Sequence, residues 1–225
     1  MRALLVGRKA MLGKVLEMEN TIRGLLRSFG LKVDEISVGR FDARVRDIMA
    51  GKTDLEAIVT SLLDARGAMR LQLAKLQRLV LAVACSDNAV RRMMTAPGVG
   101  ALVALTFRRT VDDPARFKKS TSADAHFGLT PRRYQSEQTD RVGSISKCGD
   151  ELTRAMLYEA AIAILTWIPK NFKLRLWGLR LARKKGLKRA ATAVARALAV
   201  LLLWFDVTTF RFGAGGKRGR VVAAM

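Results

Sequence analysis

The sequence has few of the residues that build disulfide scaffolds or zinc sites. It contains two cysteines, Cys85 and Cys148, and a single histidine, His126. The cysteines lie far apart and form no CxxC pair, so neither a zinc site nor a disulfide framework can be assembled from these residues. We therefore expect reduced thiols, and no metal site or cofactor held by this chain.

Acidic residues are scarce as well. The 225 residues include 19 Asp and Glu against 41 Lys and Arg, which gives a net charge of +22. Between residues 160 and 205 there are ten basic residues and no acidic one. A polyanion relieves the self-repulsion of such a chain most effectively. The composition therefore predicts a nucleic-acid partner, either DNA or RNA.

Long apolar runs are also missing. The first residues carry charges too early for a secretion signal, and we expect no export. The most apolar segment, residues 190–205, contains Arg196 and is shorter than the roughly 20 apolar residues that a bilayer span requires. We interpret this segment as a core helix and expect no membrane association.

The N-terminal part has the apolar spacing of long helices. Residues 3–29 form an amphipathic pattern that ends before Gly30, and Thr53 opens a capping-box sequence followed by a long helix over 53–86. The 4,3 seam of this helix is apolar at every position except Arg66: Leu55, Val59, Leu62, Arg66, Met69, Leu73, Leu76, Val80 and Val83. Such a seam predicts a coiled coil or helical hairpin and a homo-oligomer through 53–86, although packing inside one bundle gives the same pattern.

The remaining segments complete a mainly α fold. Residues 31–51 have weak periodicity, which indicates a connector or short helix. The pattern of residues changes near residue 94, where we place the domain boundary. Helices are predicted at about 150–168, 170–185 and 188–205. We expect a helical hairpin or coiled-coil region over 1–94, followed by a compact helical domain over 95–225.

A short turn motif precedes the second domain. Glycines in the segment Pro97, Gly98, Val99 and Gly100 would let the backbone approach a phosphate, as in the hairpin of a helix-hairpin-helix element. Arg108 and Arg109 end the helix that follows and add positive charge. The same four residues could also make an ordinary turn between two helices.

Several further motifs follow in a fixed order. They are Asp113–Ser120, His126–Pro131, Gln135-Ser136, Gly143–Asp150, and a helix with Leu152, Arg154, Leu157, Ala160 and Ala161. With the turn at Pro97, this set resembles the C-terminal domain of the IS110 family of bacterial insertion-sequence transposases over residues 95–213. More weakly, residues 1–94 resemble the end of the family's RuvC-like domain and its coiled-coil insertion.

The resemblance implies a DNA transposase with a serine nucleophile. Ser136 stands at the family's Q-S-G serine and is the first candidate, although Glu137 replaces the glycine. Ser146 is the second candidate, and Lys147 beside it is a candidate phosphate contact. We expect further DNA contacts from the basic cluster formed by Lys184, Lys185, Lys188 and Arg189.

The resemblance also implies a part that this sequence lacks. Family members hold Mg²⁺ with a DEDD set of carboxylates in an N-terminal RuvC-like domain. The available acids at positions 34, 35, 42 and 47 follow the first helix, and we interpret them as surface acids. Our hypothesis is a truncated or mis-started transposase that binds DNA but does not cleave it alone. The DNA upstream of the Met1 codon would test this.

Two other functions remain open. One is a non-catalytic helix-hairpin-helix module for DNA repair or junction binding, in which Gly98 and Gly100 matter and Ser136 does not. The other is a structural RNA-binding protein whose footprint is the basic C-terminal part. The resemblance further implies a structured guide RNA as a second partner, and a cytoplasmic, nucleoid-associated location.

Overall fold

A computed structural model describes residues 1–111, 117, 126–136, 139–146 and 148–212, with the backbone alone at 53, 54, 131–136, 139–142, 144 and 206–212. The fold is mainly helical, as predicted. Its helices are α1 (Arg2–Ser28), α2 (Phe41–Met49), α3 (Thr53–Ser86), α4 (Asn88–Met93), α5 (Ala101–Thr110), α6 (Glu151–Thr166), α7 (Lys173–Lys185) and α8 (Leu187–Phe212). Its strands are β1 (Pro131–Ser136) and β2 (Thr139–Ile145).

The chain divides into two compact units. Unit 1 comprises Met1–Leu81 and unit 2 comprises Ala82–Met225, so the division falls within α3. The assignment of residues 1–94 and 95–225 to the family's domains stays a prediction.

Unit 1 is built by α1, α2 and most of α3. Its core contains residues from all three helices: Ile22, Leu26, Phe41, Val45, Met49, Val59 and Leu63. Arg8 contacts Gln77, and Glu19 contacts Arg66, so α1 and α3 run antiparallel. Helices α1 and α3 therefore pair within one chain. The coiled coil itself stays a prediction.

A glycine ends α1. Gly30 has a φ of 74°, a left-handed conformation that costs glycine nothing because it has no Cβ. The amide of Leu31 donates to the carbonyl of Leu26 at 3.0 Å, which closes the last turn of the helix. The connector then leads to α2. Residues 31–51, whose weak periodicity indicates a connector or a short helix, therefore contain both.

Unit 2 packs four helices around a small-residue face of α8. The buried residues on this face are Ala190, Ala191, Val194, Ala195, Leu198, Ala199 and Leu202. Helices α4, α6 and α7 contact α8, and α5 contacts α6. Small side chains let helix axes approach closely, which is most evident at Gly178 of α7. A Cβ there would lie 2.6 Å from Cγ2 of Val194 and 2.7 Å from Cδ2 of Leu165.

The antiparallel hairpin of β1 and β2 was not predicted. Pro131 pairs with Ile145 at one end, and Ser136 pairs with Thr139 at the other. Its sequence is mostly polar and lacks an apolar alternation, and the two residues between the strands are Glu137 and Gln138 rather than Asn-Gly. The usual sequence indications of a hairpin are therefore absent from this segment.

Candidate nucleic-acid interface

The turn at Pro97 is shaped by its first glycine. Gly98 has a φ of 82°, and a Cβ there would lie 2.6 Å from Cγ1 of Ile164 and 3.1 Å from the carbonyl oxygen of Ala160. Val99 is buried, and its amide donates to the carbonyl of Ala96 at 3.1 Å. The turn therefore sits against α6, a long-range packing role that the sequence did not indicate.

Gly100 has a different role. It is exposed and forms the N-cap of α5, with no side-chain hydrogen bond to the helix end. The N–H groups of the first helical turn carry partial positive charge, which favours an anion such as phosphate. The phosphate contact predicted for the residues of this turn stays a prediction.

The two arginines at the end of α5 differ in exposure. Arg108 is half-buried, and its Nη1 donates to the carbonyl of Val111 at 3.2 Å. Arg109 is exposed. Of this predicted pair, Arg109 is therefore the more accessible cation for a phosphate.

Close backbone packing anchors the hairpin. Gly128 has a φ of 62°, and a Cβ there would overlap the carbonyl oxygen of Cys148. Gly149 has a φ of 101°, and a Cβ there would overlap the carbonyl oxygen of His126. The two glycines therefore let the segment before β1 and the segment after β2 pass directly against each other.

A capping network continues from this crossing into α6. Asp150 caps the helix, because its Oδ2 accepts from the amide and the hydroxyl of Thr153 at 2.9 and 2.7 Å. The hydroxyl of Thr153 also lies 2.6 Å from that of Thr110 at the end of α5. Thr153 is fully buried, so these bonds fix α6 against α5 and set the position of the hairpin base.

The structure separates the two candidate serines. Ser136 is the last residue of β1 and lies at the tip of the hairpin. Ser146 follows β2 at the base, where it is half-buried and its amide donates to the carbonyl of Thr130 at 2.8 Å. At about 3.3 Å per residue the strand places them roughly 20 Å apart. The two serines therefore cannot reach the same phosphorus atom in this conformation.

Two of the sequence predictions lie outside the described residues. Lys147, the candidate phosphate contact, is one of them. The Asp113–Ser120 motif is the other, except for Phe117. Both stay predictions.

The turn between α7 and α8 concentrates positive charge. Gly186 has a φ of 82° and joins the two helices. Every residue from position 183 to 189 is exposed. The cations of this turn, which we name the basic turn, are Arg183, Lys184, Lys185, Lys188 and Arg189. The structure thus brings four predicted DNA contacts together at one exposed site.

The described residues offer no metal site. Among them, no three His, Cys, Asp or Glu side chains lie close enough together to hold an ion. Asp42 is engaged elsewhere, since its Oδ1 accepts from Nη1 of Arg66. The Mg²⁺ that the family resemblance implies has no fitting donor set in this part of the chain, and we assign no reaction step to it.

Within the residues described above, no helix is both long enough and apolar enough to cross a bilayer.

Comparison with known proteins finds one family model and several related transposases. Residues 90–175 match the model of the "Transposase IS116/IS110/IS902 family". The chain is 31% identical over 208 residues to "Transposase for insertion sequence element IS1111A" of Coxiella burnetii, an alignment that covers 87% of this chain and 56% of that protein. It is 27% identical over 195 residues to "Probable family 20 transposase" of Pseudomonas aeruginosa, covering 82% of this chain and 56% of the relative.

A third relative is also a transposase by its description. "Transposase for insertion sequence element IS1328" of Yersinia enterocolitica is 26% identical over 162 residues, covering 72% of this chain and 48% of that protein. The match over residues 90–175 and these relatives together support a transposase of the IS110 type. It spans about half the length of the curated relatives that it matches.

Proposed function

We propose that this chain binds DNA and takes part in insertion-sequence transposition through a serine nucleophile. The observation that carries the proposal is the family match over residues 90–175, which includes the turn at Pro97 and both candidate serines. The large excess of positive charge supports a polyanionic partner. A structured guide RNA would present the same phosphate chemistry and is part of the proposal.

The DNA contacts belong to two sites of unit 2. The basic turn presents five exposed cations, and phosphate contacts by Lys and Arg supply most of the affinity of DNA-binding proteins. The N-terminus of α5 at Gly100 offers backbone amides for a further phosphate. These contacts hold DNA regardless of sequence and would position it for the serine.

Ser136 is the first candidate nucleophile because it lies at the hairpin tip. A phosphodiester in a long DNA strand reaches a tip more easily than the packed base, where Ser146 lies half-buried. The serine oxygen would attack phosphorus and lose its proton. The bond from phosphorus to the leaving sugar oxygen would break, and that oxygen would take up a proton. The resulting phosphoserine link would keep the bond energy for strand exchange.

A chimera would test the nucleophile. This chain would replace the matching 56% of the Coxiella burnetii relative, and strand transfer would be measured for Ser136→Ala and Ser146→Ala. We expect Ser136→Ala to lower the transfer rate at least about a thousandfold, as loss of a covalent nucleophile does, and Ser146→Ala to have a small effect. The reverse result would assign the role to Ser146. Full activity of both variants would reject a serine mechanism and favour a pure DNA-binding module.

Self-association through α3 is a further part of the proposal, with a second copy of the chain as the occupant. Outside the seam, Leu71 and Leu79 of α3 are more than half exposed, at 66% and 54%, and lie about two turns apart on one side of the helix. Large exposed apolar side chains that are neighbours on one side of a helix are typical of association surfaces. Sedimentation of the Leu71→Glu/Leu79→Glu variant should show a monomer where the parent chain is a dimer or larger. An unchanged mass would reject this interface.

A further inference from the structure

Helix α7 carries a line of exposed side chains. Lys173, Trp177, Arg180 and Lys184 follow one another at intervals of four, three and four residues, so they share one face of the helix. All four are exposed, Trp177 at 42%. Along the helix axis they span about 16 Å, at 1.5 Å per residue. We name these four residues the α7 stripe.

The opposite face of α7 is packed inside unit 2. Gly178 is buried, and the space for a Cβ there is already taken by the side chains of Val194 and Leu165. Helix α7 therefore cannot turn its stripe inward. The stripe faces away from the core of unit 2.

A different arginine fixes the start of α7. Nε of Arg175 donates to the carbonyl of Ile164 at 3.2 Å, and its Nη1 donates to Oδ1 of Asn171 at 2.7 Å. This guanidinium holds the helix against the end of α6. By contrast, no ion pair involves a stripe cation within the described part of the chain. The stripe cations remain available for an anionic partner.

The tryptophan distinguishes this surface from a simple phosphate contact. Phosphate binding needs cations and amides but no large apolar ring. Within the described residues, no aromatic ring or guanidinium stacks on Trp177. Aromatic side chains between cations bind single strands, because each unpaired base offers a free face for stacking while the phosphates meet the cations. In a duplex, both faces of a base are covered by its neighbours.

We propose that the α7 stripe binds a stretch of unpaired nucleotides, with one base stacked on Trp177 and the flanking phosphates held by Lys173, Arg180 and Lys184. This inference rests on the proposed function for the presence of a nucleic acid, and it adds that the strand is unpaired where α7 meets it. An unpaired DNA strand and an unpaired RNA strand offer the same base faces and phosphates.

Binding of short probes by the full chain would test the stripe. Fluorescence anisotropy would compare labelled oligothymidylate, oligouridylate and the duplex of oligothymidylate with oligoadenylate. We expect Trp177→Ala to weaken single-strand binding at least about fivefold, the lower end of what one stacked base contributes, and to leave duplex binding unchanged. Trp177→Phe should retain most of the affinity because the ring remains.

Trp204 provides a matched control. Its indole is 48% exposed, and the residues three and four positions away, Val200, Leu201, Val207 and Thr208, carry no charge. Trp204→Ala should therefore leave single-strand binding unchanged. A loss as large as that of Trp177→Ala would contradict a specific role of the stripe.

A second readout does not depend on affinity. In the Trp167→Phe/Trp204→Phe variant, Trp177 is the single indole, and its fluorescence should be quenched by oligothymidylate or oligouridylate but not by the duplex. The stronger quencher would identify DNA or RNA as the natural strand, and either result supports stacking. Absence of quenching by both, or equal loss of single-strand and duplex binding in Trp177→Ala, would overturn the inference. If the parent chain bound none of the probes, the proposed function itself would fail.

Discussion

Arg66 of α3 holds Glu19 of α1 in the interior of unit 1. Its Nε and Nη2 donate to Oε1 of Glu19 at 2.9 and 2.5 Å, and Nη2 also donates to the carbonyl of Val38 at 3.0 Å. Nη1 donates to Oδ1 of Asp42 at 2.5 Å, and the guanidinium lies 4.7 Å from the ring centroid of Phe41. One fully buried cation therefore connects α3 with α1, α2 and the loop between them.

Replacing this arginine should destabilise unit 1 strongly. Arg66→Met keeps much of the side-chain volume but leaves the carboxylate of Glu19 buried without its partner. Breaking a buried pair in this way costs about 3–5 kcal/mol, and urea unfolding would measure the loss. The Glu19→Leu/Arg66→Met variant should recover much of it, because neither buried charge remains.

Arg70 provides the matched control. It donates to the same carbonyl of Val38, at 3.2 Å, but it is only half-buried and this hydrogen bond is exposed. Arg70→Met should lower the free energy of unfolding by less than about 1 kcal/mol. If Arg66→Met proved no more costly than Arg70→Met, the central role of Arg66 in unit 1 would be wrong.

The turn at Pro97 allows a comparison between two glycines. Gly98→Ala forces a left-handed backbone on a residue with a Cβ and pushes that Cβ against Ile164, so we expect a loss of about 2 kcal/mol or more. Gly100→Ala places its Cβ in open space at a φ of −89°, so it should lose only the N-cap advantage of glycine over alanine, about 1 kcal/mol or less. Thermal unfolding followed by circular dichroism would measure both. Equal effects would contradict the packing of this turn on α6.

The hairpin base allows a second comparison. Gly128 and Gly186 both have positive φ values, 62° and 82°. A Cβ at Gly128 would overlap backbone atoms of Cys148, whereas a Cβ at Gly186 would meet nothing within 4 Å. Both alanine variants force a side chain onto a positive φ, at about 1–3 kcal/mol, and Gly128→Ala should lose clearly more because backbone cannot move aside. Similar midpoints in urea for the two variants would refute the close crossing at the hairpin base.

Periodicity predicted the helices well because it reports which face of a segment is buried. The long helix over 53–86 begins and ends as expected, and Arg66 is the one polar residue of its seam. Its partners could not be predicted, since they come from three segments that lie 24 to 47 positions away. Contacts between residues this far apart in the sequence do not affect the local spacing of apolar residues, so periodicity does not reveal them.

Motif order predicted the family but not the geometry of the site. The hairpin was not predicted because its strands are polar and the two residues between them include no glycine. The separation of Ser136 from Ser146 follows from that hairpin, so it could not be predicted from the sequence either. The stripe on α7 could have been found from sequence, because Lys173, Trp177 and Arg180 have helical spacing.

The salt dependence of duplex DNA binding tests the central proposal most directly. Affinity of the parent chain should fall steeply with salt, with a logarithmic slope of about −4 or steeper if the five cations of the basic turn contact phosphates. Changing Lys184, Lys185, Lys188 and Arg189 to Ala should make the slope shallower by about one for each lost contact. A control with the same loss of charge replaces Lys9, Lys14, Lys32 and Lys52, which are exposed in unit 1, and should keep the parent slope. A flat salt dependence of the parent chain, or the same slope for both variants, would contradict DNA binding through the basic turn.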